Sequence, residues 1–129
     1  MNFIDRAVLL HKNKIFAAAA IASAAMYIFS CIVSDDSAQM KLLCLPLLIL
    51  AFITMYATMR LIFFILRKIN IIPDGLLSAL EIIYAATAVA GFMYAGFIMR
   101  HTYTLDAIYA VVEAGTLAGA VHARFDRIK

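Results

Sequence analysis

Apolar residues in this chain come in four long runs, residues 15–33, 42–66, 76–99 and 104–121, separated by short polar stretches. A helix needs roughly 20 residues to cross a hydrocarbon core of about 30 Å, and each run is about that long. The pattern predicts an all-α integral membrane protein. Its four transmembrane helices are expected to form an antiparallel bundle, with all 129 residues in a single membrane domain.

Ahead of the first run, Phe3, Ile4, Ala7 and Val8 recur at helical spacing, with Asn2 as a candidate N-cap and Asp5 three residues on. This predicts a short N-terminal interfacial helix, its apolar side in the headgroup boundary and Arg6, Lys12 and Lys14 on an anionic surface. An irregular tail is the alternative. The first run itself is small-sided, with alanine at positions 17 to 20, 22, 24 and 25, and predicts close helix contact. Its basic start and its Ala22-Ser23-Ala24 also imitate a cleavable signal peptide. A retained helix is expected, because cleavage there would leave a new N-terminus in the middle of the apolar run.

In the second run, Pro46 predicts a bend and not a break, since membrane helices tolerate proline where neighbours satisfy the freed carbonyl. Pro73-Asp74-Gly75 reads as a turn. Ser78 and Glu81 then match a helix-start capping box, which would put Glu81 at a helix terminus. The other reading makes Glu81 a buried charge.

Composition and charge sharpen this outline. With 66% hydrophobic and 15% charged residues, the chain leaves no room for a separate soluble domain. The basic residues gather at the ends of the runs. With the N-terminus cytoplasmic, Arg6, Lys12, Lys14, Arg60, Arg67, Lys68, Arg124, Arg127 and Lys129 fall on or near the inner side, while Lys41 and Arg100 fall outside. This bias predicts both termini in the cytoplasm of a bacterial-type inner membrane and argues against dual topology. Cations at helix ends also offer no aromatic-bearing basic surface for nucleic acid.

Four charged positions lie inside the runs: Asp106 near the outer end of the fourth, and Arg60, Glu81 and Glu113 deeper. At about 1.5 Å per residue, Arg60 is roughly 9 Å from the inner end of the second run and Glu81 roughly 8 Å from the inner start of the third. Helices joined by a short loop should be neighbours, so a buried Arg60–Glu81 ion pair is expected. It would fix helix register and spare either charge from standing alone in lipid. Glu113 lies deeper, roughly 13 Å from the inner end, with no cation at its level, so only a proton or an arriving cation would balance it.

Helical stepping puts Asp106, Tyr109, Glu113 and Thr116 on one face, a candidate proton or cation path, or else structural glue between helices. Ile108, Val112, Gly115 and Gly119 lie nearly opposite. The GxxxG spacing of the two glycines lets another backbone come close, making this a candidate helix-packing or oligomer face.

Other constellations point to little chemistry. Cys31 and Cys44 form no CxxC pair and have no metal-ligand spacing with His11, His101 or His122, so no metal site is expected, and buried unpaired thiols are favoured over a disulfide. Haem ligation needs two axial side chains at one depth, and the three histidines read as interfacial residues instead. No catalytic signature and no cofactor site is found. The expected role is therefore non-enzymatic. It is that of a small subunit, accessory or immunity-type factor acting through protein–protein contacts in the bilayer, with a homo-oligomer or a larger membrane protein as partner. The alternative is a small proton- or cation-coupled transporter or channel using Glu113. A membrane thiol redox protein is the remote third.

Overall fold

Between Phe3 and Val33 no proline or glycine interrupts the chain, and in the computed structural model the whole stretch is one helix, α1 (Phe3–Val33). The structure describes residues 3–100 and 102–128; the expected cap Asn2, His101 and the terminal Lys129 lie outside them. The segment expected as a separate interfacial helix is continuous with the first span. Its polar residues His11 to Lys14 do not stop a helix whose neighbouring turns are alanine and leucine, good helix formers.

Helix α2 (Ala38–Ile69) begins at Ser37, whose Oγ accepts a hydrogen bond from the Met40 N–H at 3.3 Å, and it runs through Pro46 without ending. Asn70 closes it in the left-handed region, φ 57°, a conformation asparagine tolerates better than most residues. Arg67 and Lys68 in the last turn complement the negative end of the helix dipole.

Helix α3 (Asp74–Phe97) starts directly after Pro73, whose fixed φ suits a helix entry. It therefore starts four residues ahead of the Ser78–Glu81 motif. Ser78 and Glu81 are interior helix positions and form no helix-start capping box. A 3₁₀ turn at Thr104–Asp106 leads into α4 (Ala107–Ile128), which runs seven residues past the expected end at 121.

All four helices are long and apolar enough to cross a membrane. They are not equivalent. In the most apolar stretch of α4, 56% of residues are buried, against 22%, 17% and 17% in α1, α2 and α3. The least apolar helix is thus the innermost. Lipid tails are as apolar as leucine, so burial in a bilayer sorts side chains by size and hydrogen bonding instead. Ala107, Ala110, Ala114 and Ala118 of α4 are accordingly buried, while most leucines and isoleucines of α2, Leu48 excepted, face outward.

Helices α1, α2 and α3 each pack along α4, and α2 meets the other two through a few long side chains, Phe52 and Tyr56 against Phe16 and Phe63 against Tyr84. The expected direct neighbourhood of the second and third helices is confined to local contacts such as Phe63 edge-on to Tyr84, because α4 lies between them over most of their length. Phe52 and Tyr56 of α2 meet Gly115 and Gly119 in the same chain order, so α2 and α4 run the same way. Contacts from Phe16 to His122 and from Ser34 to Thr104 show α1 running opposite to α4, and those from Glu81 to Arg124 and from Gly91 to Glu113 show the same for α3.

Candidate functional site

The end of the molecule that holds both termini carries a charged clamp built on the last two turns of α4. Arg124, 4% exposed, reaches two helices at once. Its Nη2 donates to Asp5 Oδ1 of α1 at 2.7 Å, while its Nη1 donates to Ser78 Oγ and Glu81 Oε2 of α3 at 2.6 and 3.2 Å. Arg127 adds a fork onto both oxygens of Glu81, each at 3.2 Å. Asp126 turns toward α2, accepting from Arg60 Nε at 2.9 Å and Nη2 at 2.5 Å, and Arg67 donates to its backbone carbonyl.

This corrects the expected pairing of Arg60 with Glu81. With α4 between α2 and α3, each charge meets α4 first: Arg60 finds Asp126, and Glu81 finds Arg124 and Arg127. Arg60, Arg124 and Arg127 face Asp5, Glu81 and Asp126, three cations against three carboxylates. Within this set the charges balance, and the arrangement acts as a tie between four helices. In the sequence Arg124 and Arg127 read only as orientation charges, and Asp126 has no role there. The available signal was an Arg-x-Asp-Arg ending on a helix with no glycine or proline after Gly119 to stop it.

From Arg60 a polar chain continues inward. Its Nη1 donates to Tyr56 Oη at 2.9 Å, and Tyr56 Oη meets His122 Nδ1 at 2.5 Å. His122, expected at the interface, is instead enclosed by the rings of Phe16 and Tyr56, with centroids 5.5 and 5.2 Å away. Its Nε2 is buried with no hydrogen-bond partner among the described residues. The opposite end of the molecule has a second knot. There Ser34 and Thr104 share a hydroxyl hydrogen bond of 2.9 Å, and the Thr104 N–H donates to Asp36 Oδ2 at 2.7 Å.

Glu113 stands apart from both knots. It is half-buried and makes no hydrogen bond or ion pair with any described residue. Its carboxylate lies over Gly91 of α3, where a Cβ would come within 2.6 Å of Glu113 Cδ and 2.9 Å of Oε1. The glycine is what makes room for it. Around the carboxylate is a cleft of about 280 Å³ between α1 and α3, lined otherwise by apolar side chains such as Ala18, Ala22, Val89 and Phe92.

The rest of the expected polar stripe does not join it. Asp106 accepts from the Tyr103 N–H at 3.0 Å and so caps the start of its own helix. Tyr109 is exposed and edge-on to Tyr94, and Thr116 is buried with its hydroxyl bonded back to Val112 O at 2.9 Å. No continuous path links the four.

The expected oligomer face is divided in the same way. A Cβ on Gly115 would lie 2.8 Å from Phe52 O, and one on Gly119 would lie 2.7 Å from Met59 Cβ. Both glycines therefore receive α2 of the same chain and are closed to a second copy, while Ile108 is exposed and Val112 half-buried.

A second apolar groove, about 300 Å³, lies between α1 and α2 beside Ala20, Ala24 and Tyr27. Cys44 is buried and Cys31 half-buried, and both thiols are free. Among the described residues, no group of three or more His, Cys, Asp or Glu side chains is placed to hold a metal. Comparison of the chain with family models, with curated proteins and with solved structures finds no match.

Proposed function

We propose that this protein is a non-enzymatic interaction protein of a bacterial-type inner membrane, a subunit, accessory or immunity-type factor that works through helix contacts inside the bilayer. The observation that carries this reading is the outer face of α1. Ala17, Ala20, Ala24 and Ile28 are exposed along one side of a helix that packs mainly on α4, with Ala20 and Ala24 bordering the α1–α2 groove and the α1–α3 cleft lying on the other flank. Close backbone approach is the main source of helix association in lipid, and an alanine face supplies it. The occupant is a membrane-spanning helix of a partner protein.

The cations support an orientation with both termini cytoplasmic. Arg6, Lys12, Lys14, Arg60, Arg67, Lys68, Arg124 and Arg127 sit toward the end that holds the termini, with Lys41 and Arg100 at the other. The second reading, a cation-linked carrier, draws support from Glu113 and loses the continuous path it needs.

Extraction of the protein from its native membrane directly into lipid nanodiscs, followed by mass measurement, tests the first reading. The expected result is a stoichiometric complex with a second membrane protein, lost in the variant Ala20→Leu with Ala24→Leu. A wild-type chain recovered alone, or only with copies of itself, overturns it.

A further inference from the structure

We propose that the cleft between α1 and α3 is a binding site for a lipophilic monocation, an amphiphilic amine or quaternary ammonium, whose charged head rests on Glu113. This site is separate from the alanine face of α1 and does not depend on it.

Charge complementarity sets the sign and size of the ligand's charge. Glu113 is a single carboxylate with no hydrogen bond or ion pair to any described residue. The cations that could have answered it are engaged elsewhere: Arg124 and Arg127 hold Asp5 and Glu81, and Arg60 holds Asp126. An unpaired carboxylate facing an apolar cleft is costly in a bilayer, and a monocation is the smallest ligand that removes that cost.

The walls set the rest of the chemistry. Calcium takes six to eight oxygen ligands and magnesium close to octahedral geometry, whereas this cleft offers the two oxygens of one carboxylate among Ala18, Ala22, Val89, Phe92, Met93 and Leu117. A bare metal ion is poorly served. An alkyl or aryl ammonium is well served, because its apolar body lies on those side chains, Phe92 among them. The route of entry favours the same class. Helices α1 and α3 scarcely touch, so the cleft opens sideways between them and its visitors arrive from the lipid. Its volume of about 280 Å³ suits a small molecule, near the lower end of ordinary ligand pockets at roughly 300 Å³, and is far too narrow for a whole helix about 10 Å across.

The test uses the purified full chain in dodecylmaltoside and equilibrium dialysis of radiolabelled tetraphenylphosphonium, a permanent lipophilic cation that can lay part of its body in the open side of the cleft. Saturable one-to-one binding is expected for the wild type. Glu113→Gln, which keeps the side-chain shape, is expected to weaken it by about ten-fold or more. Ala18→Leu with Ala22→Leu, which fills the cleft and leaves the carboxylate in place, should weaken it comparably.

Unchanged binding in Glu113→Gln, or no saturable binding by a wild type that keeps its helical circular dichroism, overturns the proposal. So does a native complex that excludes tetraphenylphosphonium and dissociates on Glu113→Gln, because the carboxylate would then belong to a partner's basic side chain. A wild type that binds the cation yet leaves its native membrane without a partner would uphold this site while removing the interaction role, so the two fail separately.

Discussion

Arg124 on α4 and Glu81 on α3 lie 3.2 Å apart in the interior, with side chains 5% and 2% exposed. Glu81 also takes the fork of Arg127, and Arg124 also takes Asp5, so each group has its charge answered from two sides. Removing one member leaves a buried charge without compensation, which costs about 3–5 kcal/mol in a dry interior. Glu81→Gln should therefore lower the unfolding midpoint in mixed detergent, as followed by circular dichroism. Arg124→Gln should lower it at least as far, because it strands Asp5 as well as Glu81.

The pairing of Arg60 is open to direct test by charge exchange. Arg60 and Asp126 are about a third exposed, so their pair contributes about 1 kcal/mol or less. Arg60→Asp should destabilise modestly, and adding Asp126→Arg should recover most of that loss. Exchange of Arg60 with Glu81 should recover nothing and should add the cost of stranding Arg124 and Arg127. Recovery in the second exchange and not in the first would contradict the arrangement of α4 between α2 and α3.

The different fates of these charges mark what the sequence could disclose. Four helices, their short connections and the end-loading of cations follow from run length and from residues such as Ser37 and Pro73, which act within a few positions of themselves. The inner position of α4 does not. It depends on which helix offers Gly115, Gly119 and a row of alanines to all three others at once, and a periodicity shared by α1 gives no means of ranking the two. Matching depth pairs Glu81 with Arg60, because Arg124 and Arg127 lie past the end of the fourth run at 121; the continuation of α4 to Ile128 is what brings their side chains to Glu81. Glu113 was legible as an isolated carboxylate, because no other run carries a cation near its middle. Its cleft was not, since that depends on Gly91 lying opposite.

Glycine substitutions separate internal packing from oligomer formation. Gly115→Leu and Gly119→Leu drive side chains into Phe52 O and Met59 Cβ, contacts under 3 Å that only a shift of α2 could relieve. Overpacking of this kind costs about 1–3 kcal/mol, and more where backbone must move. Both variants should lose thermal stability as monomers in detergent. A change in assembly size with stability unchanged would place these glycines on an external face instead.

Tyr56 Oη is shared between Arg60 Nη1 and His122 Nδ1, so Tyr56→Phe removes both hydrogen bonds while keeping the ring that packs on Phe16 and His122. Arg60 keeps Asp126 and can turn toward water, being more than a third exposed. His122 has no such recourse: its Nε2 already lacks a partner among the described residues, and Nδ1 would join it inside the aromatic enclosure. Leaving one buried polar atom unsatisfied costs about 1–3 kcal/mol, so Tyr56→Phe should destabilise by that amount. Adding His122→Phe, which replaces the stranded ring by an apolar one of similar shape, should recover part of the loss. That gain should be absent when His122→Phe is made alone in the wild type, where it leaves Tyr56 Oη with only Arg60. The coupling between the two substitutions, read from unfolding midpoints of the single and double variants, measures whether tyrosine and histidine form one unit across α2 and α4.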